Sequence, residues 1–164
     1  MTEVEHKAIY KLRQGSDTAV LFIHGILGTP NHFASFLPLV PEEYSVVNLL
    51  LDGHGKGVED FSKASMEKWK NQVTAVVDAL SETHKNILIV AHSMGCLFSM
   101  EQAIKNKKIA KLFLLAVPLR LCLKPRMVIN SLKVYLNKID PNDRVVVAAK
   151  DCYGIAPDKN PFHY

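Results

Sequence analysis

Four apolar runs recur along the chain, separated by stretches whose apolar residues fall at helical spacing. The runs are "TAVLFIHG" (18–25), "YSVVNLLL" (44–51), "NILIVAH" (86–92) and "AKLFLLAV" (110–117). Short, β-branched runs without a polar face read as strands of a parallel sheet buried on both sides. Between the second and third runs, Met66, Trp69, Val73, Val76, Val77 and Leu80 form one helical stripe over residues 65–83, with Ser65 as the cap. Residues 94–105 form the next predicted helix, carrying Leu97, Phe98 and Ile104. Thr29 and Pro30 offer a cap followed by proline at the first helical position, which predicts a short helix through Phe36. A weaker alternation, "KAIYKLR" (7–13), predicts an edge strand ahead of the series. Repeated strand–helix–strand units imply an α/β fold with a mostly parallel sheet flanked by helices.

From Pro118 onward the pattern changes. Residues 126–139 place Val128, Leu132, Tyr135 and Ile139 on one helical face. Asp140 and Pro141 supply a second cap-plus-proline start with Asp143 in the first turn, so "VVVAA" (145–149) is read as helix despite its strand propensity. Two helices in succession look like an insertion rather than another strand–helix unit.

Composition narrows the class. With 164 residues, 48% hydrophobic and 22% charged, the chain suits one soluble domain. The net charge of +4 comes from scattered lysines, without the basic stripe and interleaved aromatics of a nucleic-acid surface. Cys96, Cys122 and Cys152 show neither C-x-x-C nor zinc spacing, which suits a reducing, cytoplasmic setting. The N-terminus has no signal-peptide pattern, and the longest apolar run, residues 112–119, is too short to span a bilayer. No metal-ligand spacing and no glycine-rich nucleotide fingerprint follow the first strand, so neither a metal nor another cofactor is expected.

The chemistry concentrates where the third buried run meets its helix. Ala91-His92-Ser93-Met94-Gly95 is G-x-S-x-G with alanine in place of the first glycine. On a strand–turn–helix elbow such a serine is exposed as a nucleophile, whereas in another setting it is an ordinary helix cap. Acyl transfer also needs two backbone N–H groups aimed at the oxyanion. Met94 would supply one, and the loop "HGILG" (24–28) can supply the other through the Ile26 N–H. His24 and Gly25 are read either as part of this site or as a plain strand end. His92 adjoins Ser93 in sequence, but neighbours at a strand end point to opposite faces, so it is not the expected base.

Taken in order, His24-Gly25, "LDGHGKG" (51–57) and Ala91-His92-Ser93-Met94-Gly95 resemble the α/β-hydrolase superfamily, and within it the carboxylesterase and monoacylglycerol-lipase group. The resemblance covers roughly residues 5–120. It implies that residues 1–117 are the N-terminal part of the hydrolase core and residues 118–164 the start of a helical cap. It also implies an ester substrate, Ser93 as nucleophile, Ile26 and Met94 as the oxyanion hole, and His24, Gly25 and His54 at the substrate pocket. His54 is equally readable as a simple turn before a helix.

The superfamily order places an acid and then a histidine after the serine. Here the later acids are Asp140, Asp143, Asp151 and Asp158, and the only later histidine is His163. A Ser93–Asp151–His163 triad leaves a dozen residues where a helix and a strand normally lie. The favoured expectation is that the triad partners sit on a C-terminal segment beyond this sequence, which would also cover the apolar edge at residues 110–117; a homodimer is the other way to cover it. Thioesterase or carbon–carbon bond hydrolase chemistry, or a non-catalytic binding domain, stand as alternatives.

Overall fold

The computed structural model describes residues 6–120, 125–136, 140–144, 146, 147, 152 and 154. Strands β1 (Ile9–Lys11), β2 (Thr18–Ile23), β3 (Ser45–Leu49), β4 (Asn86–His92) and β5 (Ile109–Leu115) form one sheet in the order β1-β3-β2-β4-β5. β1 runs antiparallel to β3, and every other neighbouring pair is parallel. The helices are α1 (Val58–Ser62), α2 (Met66–Thr83), α3 (Met94–Lys105) and α4 (Pro125–Tyr135).

Of the two central strands, β2 is buried on both of its apolar faces, and β4 is buried on one and half-buried on the other. Ala19, Leu21 and Ile23 of β2 and Ile87, Ile89 and Ala91 of β4 meet Trp69, Val73, Val77 and Leu80 of α2 and Cys96 and Phe98 of α3. On the other face, Val20 and Phe22 pack with Val46 and Phe33, the two phenylalanine rings lying 5.1 Å apart. Ser65 caps α2 as its sequence predicts, accepting a hydrogen bond from the Lys68 N–H at 3.2 Å. No helix among the described residues is long and apolar enough to cross a membrane.

Three local expectations change. The helix predicted from Pro30 through Phe36 is instead two 3-10 turns, Pro30–Phe33 and Leu37–Leu39. Pro38 lacks the N–H that a continuous helix would bond back to the Ala34 carbonyl, so the helix does not run through, and the first turn seats Phe33 against Phe22. Thr29 makes no side-chain cap hydrogen bond. At the second cap-plus-proline signal, Asp140 closes only a local turn, accepting from the Asn142 N–H at 2.9 Å. Asp143 is the cap: its carboxylate accepts from the Val146 N–H at 3.2 Å, and Arg144, Val146 and Val147 are helical. Finally, β5 is not buried on both faces. Its residues alternate between half-buried and exposed, and Phe113 is 51% exposed.

Candidate active site

Chain direction decides where a site can form. From β2 the chain moves to β3 on one side, and from β4 it moves to β5 on the other. The connections therefore diverge between β2 and β4, leaving a crevice at their carboxyl ends. His24 and Gly25 follow β2 at this point, and Ser93 follows β4.

Ser93 sits at φ 51°, ψ −121°, in the positive-φ region that a residue with a Cβ adopts at a cost of about 1–3 kcal/mol. The surrounding backbone holds it there. The Ser93 N–H donates to the Leu115 carbonyl at 2.9 Å, and the Ser93 carbonyl accepts from the Cys96 N–H at 2.9 Å. Its side chain makes no cap hydrogen bond to α3, so the hydroxyl is not serving as an ordinary helix cap. Close approach explains the flanking glycines. A Cβ on Gly95 would collide with the Ile23 carbonyl oxygen, and one on Gly25 would lie 2.8 Å from the Ser93 Cβ.

The loop after β2 is a tight turn in which the Gly28 N–H donates to the Gly25 carbonyl at 3.1 Å. Leu27 takes φ +55°, a left-handed conformation that residue patterning does not reveal in a leucine. Ile26 is 54% exposed at the apex. Among the described residues, neither the Ile26 N–H nor the Met94 N–H donates to another group, and no hydrogen bond reaches the Ser93 Oγ. Met94 opens α3, whose N-terminal N–H groups carry partial positive charge.

Four histidines gather behind these loops. His24 is fully buried; its Nε2 accepts from the Leu51 N–H at 3.1 Å, which leaves Nδ1–H to donate to the Gly25 carbonyl at 2.8 Å. Burial pushes its pKa down to about 3, with the neighbouring histidines adding to the effect, so the ring is neutral. The expectation that His24 lines a substrate pocket is thereby corrected: both ring nitrogens are spent tying the β2 loop to the turn after β3. His54 is 1% exposed, its Nδ1 lies 3.2 Å from the Asp52 carbonyl, and its ring packs edge-on against His24 and Phe61. Trp69 Nε1–H donates to that same Asp52 carbonyl at 2.7 Å. His54 therefore backs the turn from inside.

His92 stacks on His32 with ring centroids 5.0 Å apart, on the sheet face that also carries Val90 and Leu115. Burial lowers the pKa of both rings. His32 was not singled out by its sequence, because a lone histidine in a turn carries no spacing signal. Asp151 and His163, the two triad candidates, lie outside the described residues. A cleft of about 490 Å³ opens beside the turn after β3, lined by Asp52, His54, Lys56 and Lys68 among others; Ser93, Ile26 and Met94 do not line it. Among the described residues no cluster of histidine, cysteine and carboxylate side chains could hold a metal ion.

A strained serine at the divergence point of a parallel sheet defines the α/β-hydrolase class of chain. The model of the alpha/beta hydrolase family matches residues 20–157, and the chain belongs to that family. It is similar to the probable lysophospholipase BODYGUARD 4 of Arabidopsis thaliana, 26% identical over 113 residues that make up 66% of this chain and 26% of that protein. Among solved structures it resembles one from a study of LipS and LipT, two metagenome-derived lipolytic enzymes, at 21% identity and a TM-score of 0.61, over 85% of this chain and 53% of that one. It also resembles the monoacylglycerol lipase of Paleococcus ferrophilus, at 18% identity and a TM-score of 0.57, over 84% of this chain and 52% of that one. The chain thus spans about half the length of these solved structures and about a quarter of the curated relative.

Proposed function

We propose that this chain carries the nucleophile and oxyanion hole of a serine hydrolase acting on carboxylic esters, of the short-chain or monoacylglycerol type. The observation that carries this reading is Ser93 itself, held at positive φ with its hydroxyl unused by the helix it precedes. Leu27 and Ala116 also take positive φ, but of the three only Ser93 presents a hydroxyl, and strained backbone of this kind concentrates at functional sites. The Ser93 Oγ attacks the ester carbonyl carbon and loses its proton to a general base, while the Ile26 and Met94 N–H groups stabilise the carbonyl oxygen as it becomes an oxyanion. The alcohol leaves with a proton returned by the base, and water then releases the acid from the acyl-serine.

His92 is not that base, since its ring lies against His32. The acid and base come from outside the described residues, on a segment pairing along β5, whose outer edge has no partner among them. The lipolytic names of the relatives support an ester substrate. Labelling of the native protein by a fluorophosphonate probe, with mass-spectrometric mapping, tests the reading. The expected result is modification of Ser93 that disappears in Ser93→Ala; an unlabelled Ser93 in the native protein overturns it in favour of a non-catalytic binding domain. Hydrolysis of thioesters without oxygen esters would reassign the substrate class while keeping the nucleophile.

A further inference from the structure

The stretch "DCYGIAP" (151–157) drew notice in the sequence for its aspartate, yet the residue that reaches the site is its glycine. The Gly154 N–H donates to the Leu27 carbonyl at 2.7 Å, and the Gly154 carbonyl accepts from the Gly55 N–H at 2.6 Å. One buried residue, far along the chain, thus joins the turn at residues 25–28 to the turn at residues 52–55.

The first of these turns contains backbone that needs holding, whereas the second turns on a glycine. Leu27 lies at φ +55° and Gly55 at φ +74°. A left-handed leucine costs about 1–2 kcal/mol relative to its ordinary conformation, so the turn reverts unless outside contacts oppose it. The Gly28 N–H to Gly25 carbonyl bond closes the turn from within. The Gly154 N–H supplies a donor to the Leu27 carbonyl from outside. The slot admits only glycine: a Cβ there would press on the carbonyl oxygens of Gly28 and Leu27.

We propose that Gly154 is a positioning residue for the oxyanion hole, clamping the turn whose Ile26 N–H faces the developing charge. This rests on the reading of Ser93 as nucleophile. The Leu27 carbonyl shares its peptide with the Gly28 N–H, which donates to the Gly25 carbonyl, and that carbonyl shares its peptide with the Ile26 N–H. Fixing the first therefore orients the last, and a preorganised donor loses nothing to rearrangement at the moment of reaction.

The test compares the native protein with Gly154→Ala by amide hydrogen exchange and by the rate of Ser93 phosphonylation. In the wild type the Gly55 and Gly154 amides exchange slowly and at matched rates, because each hydrogen bond is made through the same residue. In Gly154→Ala, protection is lost at Gly55 but retained in β2 and β4, and phosphonylation slows by about tenfold or more, with kcat for an ester falling more than KM rises. An unchanged phosphonylation rate alongside lost protection at Gly55 overturns the positioning role. Should Gly154→Ala not fold, the wild-type exchange still decides: fast exchange at Gly55 overturns the clamp. Absence of any wild-type labelling instead overturns the nucleophile reading, and the catalytic meaning of the clamp with it.

Discussion

The two faces of the sheet are finished to different degrees. On the face covered by α2 and α3, sixteen buried apolar residues form one continuous core that reaches from Leu51 to Phe98. On the opposite face the buried cluster is only Val20, Phe22, Phe33 and Val46, roofed among the described residues by two 3-10 turns. Leu88 and Val90 are half-buried there, and Phe113 and Leu115 beyond them are exposed. Stability therefore concentrates on one face and toward the centre, while the second face thins out strand by strand toward β5. Ser93 lies where the two central strands end, at the best-supported place in the sheet, which lets the fold hold it at positive φ.

The largest expected effect sets the two faces against each other. Ile89→Ala, on the covered face, removes a fully buried side chain and should cost about 2–5 kcal/mol, whereas Phe113→Ala on β5 should change stability by no more than about 0.5 kcal/mol. Urea unfolding measures both, and equal losses would break the comparison by showing that the second face is covered after all.

Acid sharpens it at the strand ends. His24 titrates near 6.5 in the unfolded chain and at about 3 in the fold, so the native state binds fewer protons between these values. Stability from this residue is complete above pH 6.5 and falls by about 1.4 kcal/mol for each pH unit below it, until the folded ring titrates. The depressed pKa values of His32, His54 and His92 act in the same direction. Denaturation midpoints between pH 7 and 4.5 should fall steeply in the wild type and less steeply in His24→Gln; parallel profiles would remove His24 as a source.

A smaller loss is expected from Gly95→Ala, which forces α3 away from the end of β2 and should cost about 1–3 kcal/mol. Its fluorophosphonate labelling should drop more than its stability, since the same shift moves the elbow. On the covered face the mildest loss is that of Ser65→Ala, at about 1 kcal/mol, because it removes only the α2 cap. Thermal melting reads it, and labelling of Ser93 should stay unchanged.

Much of this architecture was legible in the residues. Buried runs and helical stripes locate β2, β3, β4, α2 and α3 to within a residue or two, since local hydrophobic period and strong caps coincide there. The tight packing around Gly25 and Gly95 was legible as well, because these glycines answer steric demands made where β2 and β4 end. The breaks came where a signal had two solutions. Thr29 and Pro30 fit a helix and also a 3-10 turn, and the seating of Phe33 on Phe22 chose the turn. Asp140 read as the cap with Asp143 in the first turn, and the hydrogen bond from the Val146 N–H shows that Asp143 is the cap. His24 looked like a pocket residue, but its role depends on the Leu51 N–H, 27 positions away.

By itself the sequence determined the order of strands and helices, the class of sheet they build and the serine that ends β4, because each depends on contacts within a few residues. Tertiary structure decided what the loops do. The positive φ of Leu27, the engagement of both His24 nitrogens, the His32–His92 stack and the reach of Gly154 into the turns at residues 25–28 and 52–55 all depend on partners distant in the chain. Such pairings leave no periodic trace, since a hydrogen bond to a backbone carbonyl places no demand on which side chain the partner carries.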